Sequence, residues 1–156
     1  MGHDLKSPVR IVEGLRGCCS QMDIQSKDGE VWVAENARHR VVRYDRDGKV
    51  LASFGKADRE KASCFGGCCE PKNLRFGPAG ELYASESGPP VVVKRFSLDG
   101  KFLGVVGVAD FYTGCVRVTV AVSANARRVF ILNSDAAAIH VLEDRPIKAN
   151  GKVRRV

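Results

Sequence analysis

Cysteine is the residue type with the clearest chemical potential in this sequence. Six are present among 156 residues. Gly17-Cys18-Cys19 recurs fifty residues later as Gly67-Cys68-Cys69, and Gly114-Cys115 follows after forty-seven more. A nearly constant spacing of this size predicts a structural repeat. Cys18, Cys68 and Cys115 are then equivalent positions of successive repeats, and we expect them to be neighbours around one central axis.

Three chemistries are open to these thiols. Thiolates around an axis would hold zinc, copper(I) or an iron–sulfur cluster as a cofactor. Disulfides would join different repeats, or would join Cys64 to Cys68 or Cys69. Sequence neighbours have Cα atoms only about 3.8 Å apart, closer than a disulfide normally allows. Unmodified thiols would fill the narrow inner end of each repeat. The candidate metal ligands are Cys18, Cys19, Cys68, Cys69 and Cys115.

The repeat extends well beyond the cysteines. Residues 27–35 align with residues 78–86, and residues 42–49 align with residues 94–101. The third copy is degenerate but keeps the order, with apolar runs at 128–132 and 139–142. Each copy alternates short runs of β-branched or aromatic residues with Asp-Gly or other glycine turns, which is typical of β-hairpins. The sequence therefore predicts antiparallel meanders.

We expect four short strands in each copy. Those of the first copy are predicted at 21–25, 31–34, 41–45 and 50–54, and those of the second at 73–76, 82–85, 91–96 and 102–106. Four-stranded meanders at this period predict an all-β fold made of β-propeller blades. The predicted divisions are 1–16 as the end of a preceding blade, 17–66 as blade one, 67–113 as blade two and 114–156 as blade three.

Three blades amount to about half of a six-bladed propeller, and closed rings need four to eight. The sequence therefore predicts either a segment of a longer protein or copies of the chain that pair to complete the ring.

One stretch of the first copy resembles the NHL repeat. Within residues 33–55, the positions of the family pattern are occupied by Glu35, His39-Arg40, Asp47-Gly48 and Gly55. The resemblance implies a six-bladed β-propeller that serves most often as a binding platform for proteins or RNA. The family also includes extracellular sensors and one metal-dependent amidating lyase. Gly-Cys-Cys stands where the family usually has an aromatic residue and a proline.

The resemblance thus implies a binding scaffold whose protein or small-molecule partner lies on the propeller face. A second hypothesis is a metal- or thiol-dependent enzyme or redox module with its site in the central channel. Glu35 and Glu86 are equivalent positions that could face the channel. The sequence favours a structural role for them, in which they accept hydrogen bonds from backbone amides of the next turn in each blade. No nucleophile elbow, phosphate loop or metalloprotease helix is present, so we predict no catalytic residue.

Charge and hydropathy bear on whether the protein binds nucleic acid or spans a membrane. Lys and Arg exceed Asp and Glu by 25 to 18, which gives a net charge of +7. The basic residues are spread over all three copies without interleaved aromatics, so the sequence gives little support to nucleic acid as a partner. An RNA-binding platform is therefore only the third hypothesis for the function. No apolar run approaches the roughly 18–20 residues of a membrane span. No secretory signal is visible, so we expect a soluble protein, with an exported parent if disulfides form.

Overall fold

The computed structural model describes residues 8–19, 21–111, 114–115 and 117–143. Eleven strands form three antiparallel sheets within this part of the chain. The first sheet contains β1 (Asp23–Lys27), β2 (Glu30–Glu35), β3 (Arg40–Tyr44) and β4 (Val50–Phe54). The second contains β5 (Asn73–Phe76), β6 (Leu82–Glu86), β7 (Val91–Phe96) and β8 (Phe102–Ala109). The third contains β9 (Val120–Val122), β10 (Arg128–Asn133) and β11 (Ala138–Glu143).

The predicted strands agree with the observed ones, with small differences at their ends. β4, β5 and β7 begin and end where the sequence predicts. β1 begins two residues later than predicted, at Asp23, and β8 extends three residues further, to Ala109. The third sheet has three strands among the described residues. A fourth would fall within residues 144–156, which lie outside them, as do residues 1–7.

The hairpin turns follow from the Asp-Gly pairs. Asp28 and Gly29 form a two-residue loop between β1 and β2, with φ of 54° and 80°. Two consecutive positive φ angles define the turn that matches the twist of paired strands, and Asp-Gly tolerates it best. The only helical element among the described residues is a 3₁₀ turn at Asn36–Arg38. No helix in this part of the chain is long and apolar enough to cross a membrane.

The three sheets stack side by side as β-propeller blades. Their first strands are neighbours, because β1 contacts β5 and β5 contacts β9. One apolar cluster lies between the first and second sheets and is centred on Trp32, Phe65 and Leu82. A second cluster lies between the second and third sheets and includes Tyr83 and Ile131. Trp32 and Tyr83, which are equivalent in the alignment of residues 27–35 with 78–86, therefore each lie between two blades.

The two outermost faces of the stack differ. On the first sheet, Val33, Val42 and Tyr44 are covered by Val12 and Leu15. These two residues belong to the segment 8–17, which forms no strand. Its interpretation as the end of a preceding blade stays a prediction.

On the third sheet, the face turned away from the second sheet carries two cross-strand apolar pairs, Phe130 with Val141 and Leu132 with Ile139. Leu132, Val141 and Ile139 are 42%, 47% and 67% exposed. This face therefore presents apolar side chains to solvent.

Candidate functional site

The repeated Gly-Cys segments lie just before the first strand of each blade. Close packing favours glycine at two of them, since a Cβ on Gly67 would lie 2.6 Å from Glu70 Oε1 and one on Gly17 would lie 2.8 Å from Met22 Cγ. In blade one the backbone N–H of Cys18 donates to Asn36 Oδ1 at 2.8 Å. This hydrogen bond holds the first cysteine segment against its own blade.

Five sulfurs from three blades meet at this end of the stack. Cys18 of blade one and Cys69 of blade two are joined as a disulfide, with Cα atoms 5.9 Å apart. Cys68 Sγ lies 3.1 Å from Cys69 Sγ and 3.0 Å from Cys115 Sγ of blade three. Cys19 Sγ lies 3.6 Å from Cys18 Sγ. The sequence prediction that equivalent cysteines become neighbours is thus met by Cys68 and Cys115.

The sixth cysteine lies apart from this group. Cys64 is buried, with its Sγ 3.9 Å from Ser63 Oγ, and it is a free thiol. Two groups of three sulfurs lie within 4.8 Å of one another, namely Cys18, Cys68 and Cys69, and Cys19, Cys69 and Cys115. Cys64 belongs to neither group. The disulfide predicted between Cys64 and Cys68 or Cys69 is therefore absent among the described residues, and Cys69 pairs with Cys18 instead.

Two buried charged residues follow the second cysteine pair. Lys72 is 1% exposed, and its Nζ has no hydrogen-bond partner among the described residues. Glu70 is also 1% exposed; its Oε1 accepts from Ser87 N and Oγ at 2.9 and 2.7 Å. Burial raises the pKa of Glu70 to about 7, against the opposing effect of the Ser87 hydrogen bonds.

The same surroundings act on the thiols. The hydrogen bond with Cys115, followed by burial, raises the pKa of Cys68, and the positive charge of Lys72 opposes the rise. Lys72 therefore favours the thiolate form of Cys68.

Glu35 lies at the end of β2 and is fully buried, with an exposed fraction of 0%. Its Oε1 accepts from Arg38 Nη1 at 2.7 Å and from the backbone N–H of Arg16 at 3.1 Å. Its Oε2 accepts from Arg40 Nε at 2.6 Å. Both oxygens of this carboxylate are therefore engaged in structural contacts.

Glu86 occupies the equivalent position at the end of β6. Its Oε1 accepts from Lys94 Nζ at 2.6 Å and from the backbone N–H of Gly66 at 3.3 Å. Gly66 is equivalent to Arg16, so the two glutamates share one backbone contact and differ in their cation. The expected amide contacts exist, but the amides precede the Gly-Cys segment instead of belonging to the next turn.

A cleft of about 530 Å³ opens beside the cysteines, between the loops of blade two and the start of blade three. The thiols of Cys68 and Cys115 line it, together with Glu70, Glu86 and Arg59. Arg59 is exposed, and its Nε donates to the carbonyl of Gly66 at 3.0 Å. The cleft therefore combines thiols, buried carboxylates and one accessible guanidinium.

Sequence reasoning missed three residues of this region, namely Arg59, Glu70 and Lys72. Arg59 lies in the linker between blades, where no periodicity indicates its position. A signal for the other two was present, since charged residues on both sides of Pro71 interrupt an approach to a buried strand. Charges at such positions are unusual in a core and mark a site for closer inspection.

Comparison with known proteins gives a limited result. No protein-family model and no curated protein matches the chain. One similar solved structure, a Bacteroides fragilis protein assigned as a 6-phosphogluconolactonase, has 18% identity, a TM-score of 0.49 and coverage of 80% of this chain and 34% of that one. Streptogramin B lyase has 14% identity, a TM-score of 0.44 and coverage of 78% and 39%.

A protein of unknown function from Bacteroides caccae has 13% identity, a TM-score of 0.41 and coverage of 81% of this chain and 48% of that one. The chain therefore spans less than half the length of each of these structures.

Proposed function

We propose that this chain is a segment of an NHL-type β-propeller that acts as a binding scaffold. Its ligand, a polar small molecule or a peptide, lies in the cleft beside the cysteines. The observation that carries the proposal is the cleft itself, which lies where loops of two adjacent blades meet at the inner end of the stack. Concave sites at the junction of rigid elements, with a few convergent polar groups, are the usual location of ligands.

Glu35 and Glu86 are poorly placed to act as a general base. A general base needs an accessible lone pair within hydrogen-bond reach of the substrate. Glu35 is enclosed by two arginines, and Glu86 is paired with Lys94. The guanidinium of Arg59 makes one hydrogen bond to the described residues, although arginine carries five N–H donors. Arg59 is therefore available to bind carbonyl or carboxylate oxygens of a ligand.

A fragment screen by NMR, with short peptides included, tests the cleft. We expect hits that shift the amide resonances of Gly66 and Ser87 and that bind Arg59→Ala about tenfold more weakly, the loss expected for one charged hydrogen bond. Arg127→Ala is the matched control, because it also removes one exposed arginine but lies in a different groove. Hits that map elsewhere, or equal losses in both variants, would contradict the proposed binding site.

A metal- or thiol-dependent module at the same end of the blades is the second candidate function. The approach of five sulfurs from three blades is the specific observation that favours it. Metal uptake by the reduced cysteines tests this candidate.

The exposed face of the third sheet supports a larger assembly. Leu132, Ile139 and Val141 are exposed on this face, and an exposed apolar patch of this kind marks a contact surface. In the isolated chain, a second copy would cover this face and continue the ring.

Sedimentation velocity over a range of concentrations tests this contact. We expect reversible self-association that Ile139→Lys abolishes, because the lysine would place a charge in the apolar contact. Val50→Lys is the control, since Val50 is 56% exposed on a different sheet. A chain that is monomeric at every concentration would exclude pairing through this face.

A further inference from the structure

The sulfur cluster is more than a set of disulfide partners. Cys18, Cys68 and Cys69 form one group within 4.8 Å, and Cys19, Cys69 and Cys115 form another. Cys69 belongs to both groups; the first takes its sulfurs from blades one and two, and the second takes one sulfur from each of the three blades. The disulfide uses two sulfurs, and each of the other three lies within 4.8 Å of Cys69 Sγ. Soft thiolates gathered in this way are the donor set that zinc and copper(I) prefer.

We propose that the reduced cysteines form a thiolate site for a thiophilic metal ion, with zinc held by Cys18, Cys68, Cys69 and Cys115. Cys19 lies beside these four as a spare thiolate. The inference concerns the thiols alone and does not depend on a ligand in the cleft.

The geometry agrees with a four-sulfur site. Zinc lies about 2.3 Å from each thiolate in a tetrahedral site, so neighbouring sulfurs are about 3.8 Å apart. The sulfur separations of 3.0 and 3.1 Å around Cys68, and the limit of 4.8 Å within each group, bracket that value. Cys18 and Cys115 belong to different groups, so binding of one ion by all four sulfurs requires side-chain rotations that bring these two closer.

The buried charge of Lys72 provides an independent argument. An ammonium group that is 1% exposed and lacks a hydrogen-bond partner among the described residues is costly to bury. Four thiolates around one divalent ion carry a net charge of −2. Lys72 follows Cys69 by three residues, and its charge would compensate part of that excess. Lys72 is thus a positioning residue for an anionic centre.

Metal binding requires that the bond between Cys18 and Cys69 be reduced. A phosphine reductant supplies the two electrons and is oxidised to the phosphine oxide, with its oxygen and the two thiol protons coming from water. The reduced chain then has six thiols, five of them in the cluster. Zinc displaces the thiol protons as it binds, so proton release accompanies uptake.

The test is zinc titration of the phosphine-reduced protein under anaerobic conditions, in competition with a chromogenic chelator. We expect one zinc per chain, and with Co²⁺ in its place we expect thiolate charge-transfer bands and the ligand-field bands of a tetrahedral site. Cys69→Ser should abolish uptake, because this sulfur is shared by both groups. Cys64→Ala is the matched control and should bind zinc as the unaltered protein does.

A copper(I) titration in the same buffer distinguishes the two thiophilic ions. We expect a site that binds both ions, and binding of copper(I) alone would overturn the assignment to zinc. Lys72→Met should weaken zinc binding about 10–100-fold, as loss of an outer-sphere partner does. Lys101→Met, which removes an exposed lysine, should leave the affinity unchanged.

A second measurement keeps the test valid if Cys69→Ser fails to fold. In the unaltered reduced protein, bound zinc should protect Cys68 from alkylation, although this cysteine is exposed. Absence of both uptake and protection would overturn the metal site. The cleft could still bind its ligand in that case, so failure of this inference and failure of the scaffold proposal are separate results.

Discussion

We expect Asp23→Ala to lower the free energy of unfolding by about 3–5 kcal/mol, the cost of breaking a buried charged network. Asp23 is 4% exposed and lies at the start of β1. Its Oδ2 accepts from Asn73 Nδ2 at 2.5 Å and from the backbone N–H of Leu74 at 2.7 Å, both in blade two. Its Oδ1 accepts from Arg117 Nη2, on the approach to blade three, at 2.8 Å. Truncation would leave two buried donors of blade two unpaired.

The contact is repeated in the next blade, which explains why its loss should be severe. Asn73 Oδ1 accepts from the backbone N–H of Val120 at 3.0 Å, so a side chain of each inner strand binds the backbone of the following one. Asp23, Asn73 and Val120 all stand five residues after the first cysteine of their copy. Asp23 therefore anchors a chain of hydrogen bonds that joins all three blades.

Urea denaturation followed by circular dichroism measures the effect. Asp47→Ala is the control, because Asp47 is an exposed aspartate in a turn of the same blade and should cost no more than about 0.5 kcal/mol. A loss below about 1 kcal/mol for Asp23→Ala, the net value of an ordinary hydrogen bond, would show that the network does not hold the blades together.

The blades themselves follow from local signals in the sequence. Asp28-Gly29 can form only a few tight turns. The run 21–25 alternates polar and apolar residues, and the run 31–34 is continuously apolar, as a buried strand is. The copies then constrain one another, because a turn placed in the first copy also places the turn at Ala79-Gly80 in the second. Strand ends such as that of β8 are less predictable, since they depend on how far a neighbouring strand continues.

The candidate site was predictable in outline only. The period brings Cys68 and Cys115 together, because equivalent positions of adjacent blades are neighbours. It cannot predict that Cys18 joins Cys69, the second cysteine of the next pair, since this depends on how each loop turns. Cys19 has a φ of 54°, a left-handed conformation that the sequence does not reveal. The buried position of Lys72 likewise depends on packing between blades.

Glu35 and Glu86 show that two blades can share one backbone contact of a buried carboxylate while the cation paired with that carboxylate differs. Each accepts the N–H that precedes the Gly-Cys segment, at Arg16 or Gly66. In blade one the cations are Arg38 and Arg40, which stand before and at the start of β3. In blade two it comes from Lys94 in the middle of β7. Lys94 reaches Glu86 from within the core, where its removal should have the larger effect.

We therefore expect Lys94→Met to destabilise the protein by about 3–5 kcal/mol, because it leaves a buried carboxylate without its cation. The side chains of Lys94 and Glu86 are 6% and 9% exposed, so water cannot replace the lost partner. Lys94 Nζ also donates to the carbonyl of Cys64. Methionine keeps most of the length and apolar contact of the lysine side chain, so the loss should come from the charge.

The double variant Lys94→Met with Glu86→Gln separates charge from packing. Replacing a whole buried ion pair by neutral groups is often close to neutral, so we expect the double variant to recover at least half of the stability lost by Lys94→Met. The measurement is the free energy of unfolding of both variants and of Glu86→Gln alone, as a double-mutant cycle. Equal destabilisation of Lys94→Met and the double variant would show that Lys94 acts through packing and its bond to Cys64, and that the ion pair contributes no stability.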